Sequence, residues 1–403
     1  LRIVASWIEP VPPTSHAPEE NMALGSFVFQ TATEIVFGRG RAVDAAPRAA
    51  AFGRSVLLVH GANPERSEWL AEDLARHGLA VTRFSVPSEP DMDLIEAGIS
   101  VARDAGTDVV VSVGGGSVID AGKAIAALVP AHGPVIDYLE VVGSGRRLEV
   151  YPLPFIALPT TSGTGAEVTK NAVIGVPTHR RKVSLRDPRM LADVAIVDPA
   201  LTDFTPRAVT LESGLDAITQ LVEPYICNRS NVMTDALCRD ALPKGLQALR
   251  MLLEQEDADA RDALSWASLS GGLALANAGL GVVHGLAGPL GGLRDAAHGA
   301  ICGTLLPYAL AANRDAVTEP EHVRRVEEVL GWIGSAFGTT SGKALSALAN
   351  WSRANGLQTL GGMGFTAADR QAAAEAAASS SSMKANPVQL EHATLIAILE
   401  AAS

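Results

Sequence analysis

Val109-Val110-Val111-Ser112-Val113 runs without a break into Gly114-Gly115-Gly116-Ser117, and the following residues, 118–128, return to helical spacing. A β-branched run, three glycines and an amphipathic stretch read as a strand, a tight turn and a helix. Consecutive glycines let main-chain N–H groups approach a pyrophosphate without Cβ interference, and the helix start adds partial positive charge. Glycine after a strand also serves ordinary turns, so the neighbouring sequence has to decide between the two readings.

Outward from this unit, residues 56–59, 81–84 and 155–158 are strand-like, and residues 65–77 and 93–105 have helical spacing. Such alternation predicts βαβ units and a parallel sheet with helices on both faces. Residues 26–37 alternate and end at Gly38-Arg39-Gly40, which predicts a strand pair at the start of this unit. After Thr205 the β-branched runs disappear. Residues 233–254, 262–278, 297–312 and 322–337 then carry helical spacing, and 388–399 predict a terminal helix docked after the alanine- and serine-rich 367–382. The expected organisation is a leader or cloning remnant over 1–21, with Met22 as a candidate start, an α/β dinucleotide-binding domain over 22–204, and an all-helical metal and substrate domain over 205–403.

Composition narrows the function. The chain has 403 residues, 47% hydrophobic and 19% charged, with a formal charge of -12. That is a packed globular enzyme, without the basic surface that nucleic acid or an anionic membrane demands. The one basic run, His179-Arg180-Arg181-Lys182, reads as a solvated loop. Cys227, Cys238 and Cys302 are odd in number and far apart, which fits a reducing cytoplasm. The sequence shows neither an apolar run of membrane-spanning length nor the pattern of a secretory signal.

A second loop gives the glycine turn its context. Pro159-Thr160-Thr161-Ser162-Gly163-Thr164-Gly165 follows another strand and offers hydroxyls and flexible main chain, suited to a nicotinamide ribose and phosphates. Two such loops at strand C-termini make a crevice at the sheet edge.

Gly-Gly-Gly-Ser-x-x-Asp-x-x-Lys from Gly114 to Lys123, the threonine–glycine loop, Val197-Asp198-Pro199, Asp216-Ala217 and His284…Pro289-Leu290-Gly291-Gly292…His298 resemble the iron-containing (group III) alcohol dehydrogenase family, which includes maleylacetate reductases. The resemblance spans roughly 26–400. It implies a dinucleotide-binding α/β domain, a helical domain and an interdomain cleft in which hydride passes between a nicotinamide and an alcohol or carbonyl carbon. The cofactor contacts it implies are Gly114, Gly115, Gly116, Ser117, Asp120, Lys123, Thr160, Thr161 and Thr164, with Gly61 in the turn after the strand at 56–59. That turn, His60-Gly61-Ala62-Asn63, lacks the carboxylate that favours NAD, so NADP or NAD is expected, with His60, Asn63 or Arg66 near a 2′-phosphate.

The resemblance also implies a divalent ion, iron or zinc, held by one Asp and three His. Asp216, His284 and His298 match three of these positions, but the fourth, four residues after Asp216 and on its helical face, is Gln220. An amide oxygen is a poorer ligand for either metal. Gly288 stands where many relatives place a proton-relay histidine, and Ala166 where many have serine. If no metal binds, His284 or His298 is expected to be the catalytic proton or hydrogen-bond donor to the substrate oxygen. His284 is expected beside a turn made by Ala287–Gly292, and Arg294 hints at an anionic substrate.

Other readings remain open: a maleylacetate-type oxo-acid reductase, a lyase or cyclase of the dehydroquinate synthase type, and a nucleotide-binding protein without catalysis. The dehydroquinate reading calls for clustered basic residues in the helical half, and residues 205–310 show no such cluster. The expected partners are a small-molecule substrate and a second copy of the chain, with no nucleic acid and no membrane.

Overall fold

The computed structural model describes residues 25–378 and 380–403, so the expected leader and Met22 lie outside the described residues. Six strands, β1 (Glu34–Phe37), β2 (Ser55–His60), β3 (Ala80–Ser85), β4 (Val109–Gly114), β5 (Phe155–Pro159) and β8 (Val194–Val197), form one parallel sheet in the order β1-β8-β5-β4-β2-β3. Strand β4 is buried at every position, as expected of a strand covered on both faces. Helices α1 (Ala45–Phe52) and α2 (Glu68–Arg76) cover one face, while α3 (Met92–Asp104) and α4 (Gly116–Leu128) cover the other. The chain steps from β2 to β3, then returns across β2 to β4, so the connections leaving β2 and β4 diverge to opposite faces. That divergence opens a crevice at the carboxyl ends of these two strands.

Two expectations need correction. Residues 26–33 do not form a strand; only β1 does, and it pairs in parallel with β8, Glu34 opposite Val194. The alternation upstream finds no partner strand, and Val28 is exposed, while the Gln30 main chain is taken up by the Asn277 side chain. The structure also contains an antiparallel hairpin, β6 (Asn171–Val176) with β7 (Arg181–Arg186), that the pattern did not announce. The basic run forms its turn, with Arg180 at φ +50°, and continues into β7, where Lys182 pairs with Glu89.

From Arg207 onward, every regular element among the described residues is helical: α5 (Arg207–Ile226), α6 (Val232–Leu252), α7 (Ala258–Asn277), α8 (Val282–Leu293), α9 (His298–Ala316), α10 (Pro320–Ala336), α11 (Ala344–Ala354), α12 (Ala367–Ala377) and α13 (His392–Ala401). They share one apolar core, into which α13 places Leu395, Ile398 and Leu399, confirming a docked terminal helix. No single helix among the described residues is long and apolar enough to cross a membrane.

Helix α7 joins the two halves. Leu269 and Leu273 enter the core beneath α3 and α4, and Ser162 of the loop after β5 hydrogen-bonds Ser265 at 2.9 Å. The approach is close enough to demand glycine: at Gly165, which has φ +57°, an added Cβ would lie 2.5 Å from the Gly272 Cα.

Candidate active site

At the strand ends, Gly115, Gly116, Ser117, Thr160, Thr161 and Thr164 are all only partly covered and line the mouth of the crevice, with Gly61 on the β2 side. The two loops interlock. Thr160 N–H donates to Gly114 O at 2.9 Å, and a Cβ on Gly116 would meet Thr164 Oγ1 at 2.7 Å. Helix α4 starts at Gly116 with no side-chain cap on its first N–H groups, the arrangement an anion at a helix start uses.

Asp120 and Lys123 are differently employed. Lys123 is 1% exposed, and its ammonium donates to Ala166 O, Thr169 Oγ1 and Asn171 O. Asp120 accepts from Val173 N–H and lies 3.9 Å from Lys123. Burial lifts the Asp120 carboxyl to about 6 and lowers the Lys123 ammonium to about 8, each opposed by the other's charge. The pair struts the threonine loop and the hairpin onto α4, and the hydrogen bonds of the lysine go to protein. Asn63 is also engaged, its side chain accepting from Glu65 N–H.

On the helical side, Asp216 and Gln220 occupy one face of α5, His284 lies on α8, and His298 opens α9. Residues 287–292 are not a turn beside His284 but the body of α8. Burial of Val282, Val283, Leu286, Ala287 and Leu290 carries the helix through Pro289 despite four glycines. Gly288 therefore lies one helical turn after His284, and a Cβ there would meet nothing within 4 Å.

His284 Nε2 is 3.4 Å from Asp216 Oδ1, and His298 Nε2 is 3.9 Å from the same oxygen. Two further side chains shape the cluster. Glu223, two turns after Asp216 on α5, accepts from His284 Nδ1–H at 2.7 Å and from Val283 N–H, capping the start of α8. That bond keeps a proton on Nδ1 and leaves Nε2, facing Asp216, as the nitrogen that takes a proton or a metal ion. Cys302, four residues after His298 on α9, places Sγ 3.5 Å from His298 Nε2. Both residues were legible as spacings, Glu223 seven after Asp216 and Cys302 four after His298, yet neither belongs to the motif that drew attention to the region.

The cluster is electron-rich. Asp216 Oδ1, Gln220 Oε1 and His284 Nε2 are buried without a hydrogen-bond partner, while Gln220 Nε2 donates to Asp216 Oδ2 at 3.1 Å. Burial opposes charge at all three ionisable groups, yet the interactions among them prevail. Asp216 is held below the ordinary carboxylate value by His298 and His284. His284 stands well above the usual imidazole value through Cys302, Asp216 and Glu223. His298 is raised to about 9, chiefly by the field of Cys302 against burial and then by Asp216. Acceptors gathered in a buried pocket call for a cation, whether a metal ion or protons, so the residues present fit a divalent ion.

The pocket faces the crevice closely. Gly163 of the threonine loop abuts Ser213, one turn before Asp216, and the His298 charge is felt at Asp120. A strand-end nucleotide crevice opposed to a cation pocket defines a class, the dinucleotide-dependent oxidoreductases that use a metal-type site.

Comparison with known proteins is specific. The family described as iron-containing alcohol dehydrogenase matches residues 32–199, and its C-terminal counterpart, Fe-containing alcohol dehydrogenase family, C-terminal, matches residues 210–403. Long-chain-alcohol dehydrogenase 1 of Geobacillus thermodenitrificans (strain NG80-2) is 36% identical over 338 residues, 82% of this chain and 84% of that protein. NAD-dependent methanol dehydrogenase of Bacillus methanolicus is 31% identical, covering 80% and 85%. A crystal structure of 1,3-propanediol oxidoreductase superposes with a TM-score of 0.85 at 29% identity over 94% of this chain and 100% of the other. The chain belongs to the iron-containing alcohol dehydrogenase family. It is an oxidoreductase interconverting alcohols and carbonyl compounds with a nicotinamide dinucleotide.

Arg294, the hint toward an anionic substrate, is committed to Asp369 at the start of α12. Arg207, Arg261 and Lys244 are likewise paired within the helical half, to Asn355, Glu256 and Asp240. These basic groups are thus engaged at separate places, which removes support from the dehydroquinate synthase reading.

Proposed function

We propose that the enzyme oxidises or reduces a neutral alcohol–aldehyde pair at the seam between residues 22–204 and 205–403. In this reading Gly114, Gly115, Gly116, Ser117, Thr160, Thr161 and Thr164 hold the dinucleotide, with Gly61 beside the adenosine end. Asp216, His284 and His298 hold a divalent ion. When bound, the nicotinamide supplies hydride exchange and the ion supplies Lewis-acid polarisation of the substrate oxygen. Glu223 keeps the Nδ1 proton of His284 in place so that Nε2 stays a donor of electrons. Gly288 leaves room beside α8 for a substrate longer than methanol and for water to carry the alcohol proton away. With no carboxylate in residues 60–63, NADP is accepted alongside NAD. Lys123 and Asp120 act as supports for the threonine loop.

The observation that carries the reading is the set of buried, unpartnered acceptors at Asp216 Oδ1, Gln220 Oε1 and His284 Nε2. Metal analysis of protein purified without chelator, followed by turnover of NADH and NADPH on aldehydes of increasing length, tests it. The expected result is about one divalent ion per chain, and for Asp216→Ala a loss of the ion with a fall in kcat/KM of about a thousandfold or more. Full turnover by a metal-free wild type, or by Asp216→Ala, would overturn the reading.

The chain is further proposed to be a cytoplasmic homodimer. The free, separated cysteines support the compartment. An apolar groove beside the edge strand β1, lined by Phe29, Ile35, Met233, Leu237, Trp266 and Leu273, supports the second copy. Sedimentation at micromolar concentration would settle the stoichiometry.

A further inference from the structure

Gln220 leaves the cation pocket short of an imidazole, yet the pocket contains another donor. Cys302 is fully buried on α9, one helical turn after His298, so the two side chains leave the helix on the same face. Its sulfur and one ligand atom each from Asp216, His284 and His298 all lie within 4.8 Å of one another. Sulfur alone would mean little, since buried cysteines are usually small hydrophobes. Here it adjoins two side chains more than nine-tenths buried, Asp216 and His284, whose Oδ1 and Nε2 have no hydrogen-bond partner.

The spacings bear on geometry. Tetrahedral zinc with Zn–N near 2.0–2.1 Å, Zn–O near 2.0–2.2 Å and Zn–S near 2.3 Å separates its nitrogen and oxygen ligands by about 3.4 Å, and nitrogen and sulfur by about 3.5 Å. Asp216 Oδ1 to His284 Nε2 is 3.4 Å, and His298 Nε2 to Cys302 Sγ is 3.5 Å. A third edge, His298 Nε2 to Asp216 Oδ1, is 3.9 Å, so a small closing movement of His298 suffices. His298 is the least buried of the four and is free to make that movement.

Gln220 has a different occupation. Its amide N–H donates to Asp216 Oδ2, which leaves Oδ1 as the oxygen turned toward both histidines. An amide that orients a ligating carboxylate in this way is a positioning residue.

We propose that Cys302 is the fourth ligand of the metal in this enzyme, completing an Asp216, His284, His298, Cys302 set in which Gln220 orients Asp216 instead of coordinating. The proposal rests on the metal reading above and adds the identity of the fourth donor. On coordination the Cys302 S–H bond breaks, the proton leaves to solvent, and a sulfur–metal bond forms with no change of oxidation state. A thiolate shifts preference toward zinc and away from the harder oxygen-seeking ions. Two anionic ligands also neutralise a dication that one carboxylate and three imidazoles would leave positive, so the metal here polarises substrate less strongly than a four-ligand set with a third histidine.

The test replaces the native ion of the full-length protein with Co2+ and reads its absorption. The expected result is one cobalt per chain with an intense near-ultraviolet thiolate-to-cobalt charge-transfer band. Cys302→Ser should abolish the band and weaken cobalt binding at least tenfold, while Gln220→Ala should keep it. One cobalt per chain without that band, or an unchanged spectrum in Cys302→Ser, overturns the fourth-ligand assignment and leaves the metal site standing. Failure of wild type to take up cobalt or zinc at all overturns both. Should Cys302→Ser fail to fold, X-ray absorption of the zinc-loaded wild type decides: a sulfur scatterer at about 2.3 Å supports the assignment, and a shell of nitrogen and oxygen alone overturns it.

Discussion

The strand ends and the helical pocket face one another across the same seam, but they present different chemistry to it. At the strand ends the surface is main chain: glycines, the uncapped start of α4 and a loop packed so tightly that Gly116 has no room for a Cβ beside Thr164. In the helical pocket the surface is side chains drawn from α5, α8 and α9. Main-chain recognition is fixed by backbone path, so it tolerates almost no substitution at the points of close approach. Side-chain recognition is set by which donors reach a common point, and a helix offers an alternative donor every three or four residues. The glycine and threonine loops keep the pattern shared with the family, whereas the pocket carries Gln220 and Gly288 and has Cys302 within reach.

Three variants would sharpen or break that contrast. The largest effect is expected for Glu223→Gln, which weakens the bond holding His284 Nδ1. Loss of an outer partner of this kind costs about 10- to 100-fold in metal affinity, checked by competition with a chromophoric chelator. Dinucleotide affinity should stay at the wild-type value; if it falls equally, the two sides are not separable.

Gly116→Ala makes the complementary cut. The new methyl must displace the Thr164 side chain, and the expected cost is about tenfold in dinucleotide affinity, or about 1.4 kcal/mol, followed by NADH and NADPH fluorescence titration. Metal content should be unchanged. Wild-type dinucleotide affinity in the Gly116→Ala variant would place the pyrophosphate elsewhere.

The smallest effect on either ligand belongs to the seam itself, where the change is read in stability. Glu167, 2% exposed in the loop after β5, has its carboxyl raised by burial from 4.5 to about 7, with Lys123 partly opposing. Because the folded chain holds this proton after the unfolded chain has released it, stability from this group falls as pH rises between 4.5 and about 7. Glu167→Gln removes the penalty, so it should stabilise the protein by up to about 3 kcal/mol above pH 7 and change little below pH 4.5. Denaturant melts at the two ends of that range provide the check. Equal stabilisation at both would show that folding does not raise the Glu167 carboxyl.

Much of this was readable in advance. Strands β2, β4 and β5 and helix α3 follow directly from β-branched runs and apolar spacing, because a strand buried on both faces must be apolar throughout and a half-buried helix must repeat near 3.6. The hairpin β6–β7 escaped because its turn is a basic run with no Asn-Gly or Asp-Gly signal. The supposed pair at 26–37 failed because alternation marks a strand only when a neighbour supplies the ladder, and only residues 34–37 reach β8. In the site, the glycines and threonines of the two loops carry local signals. Lys123 carries the family's spacing as well, yet its amine turns inward to three acceptors, which no spacing reveals.

By itself, the sequence determined the βα order, the change to helices after Thr205, the glycine and threonine loops and the absence of an imidazole at position 220. Each is a local property of the chain, set by side-chain volume, β-branching or backbone freedom within a few residues. Tertiary structure alone decided that Asp216, His284, His298 and Cys302 converge, that Glu223 orients His284, and that Lys123 serves the scaffold. Those facts depend on three helices, separated by up to 86 positions between Asp216 and Cys302, meeting at one point. Burial of the shared core fixes that meeting and local pattern does not encode it.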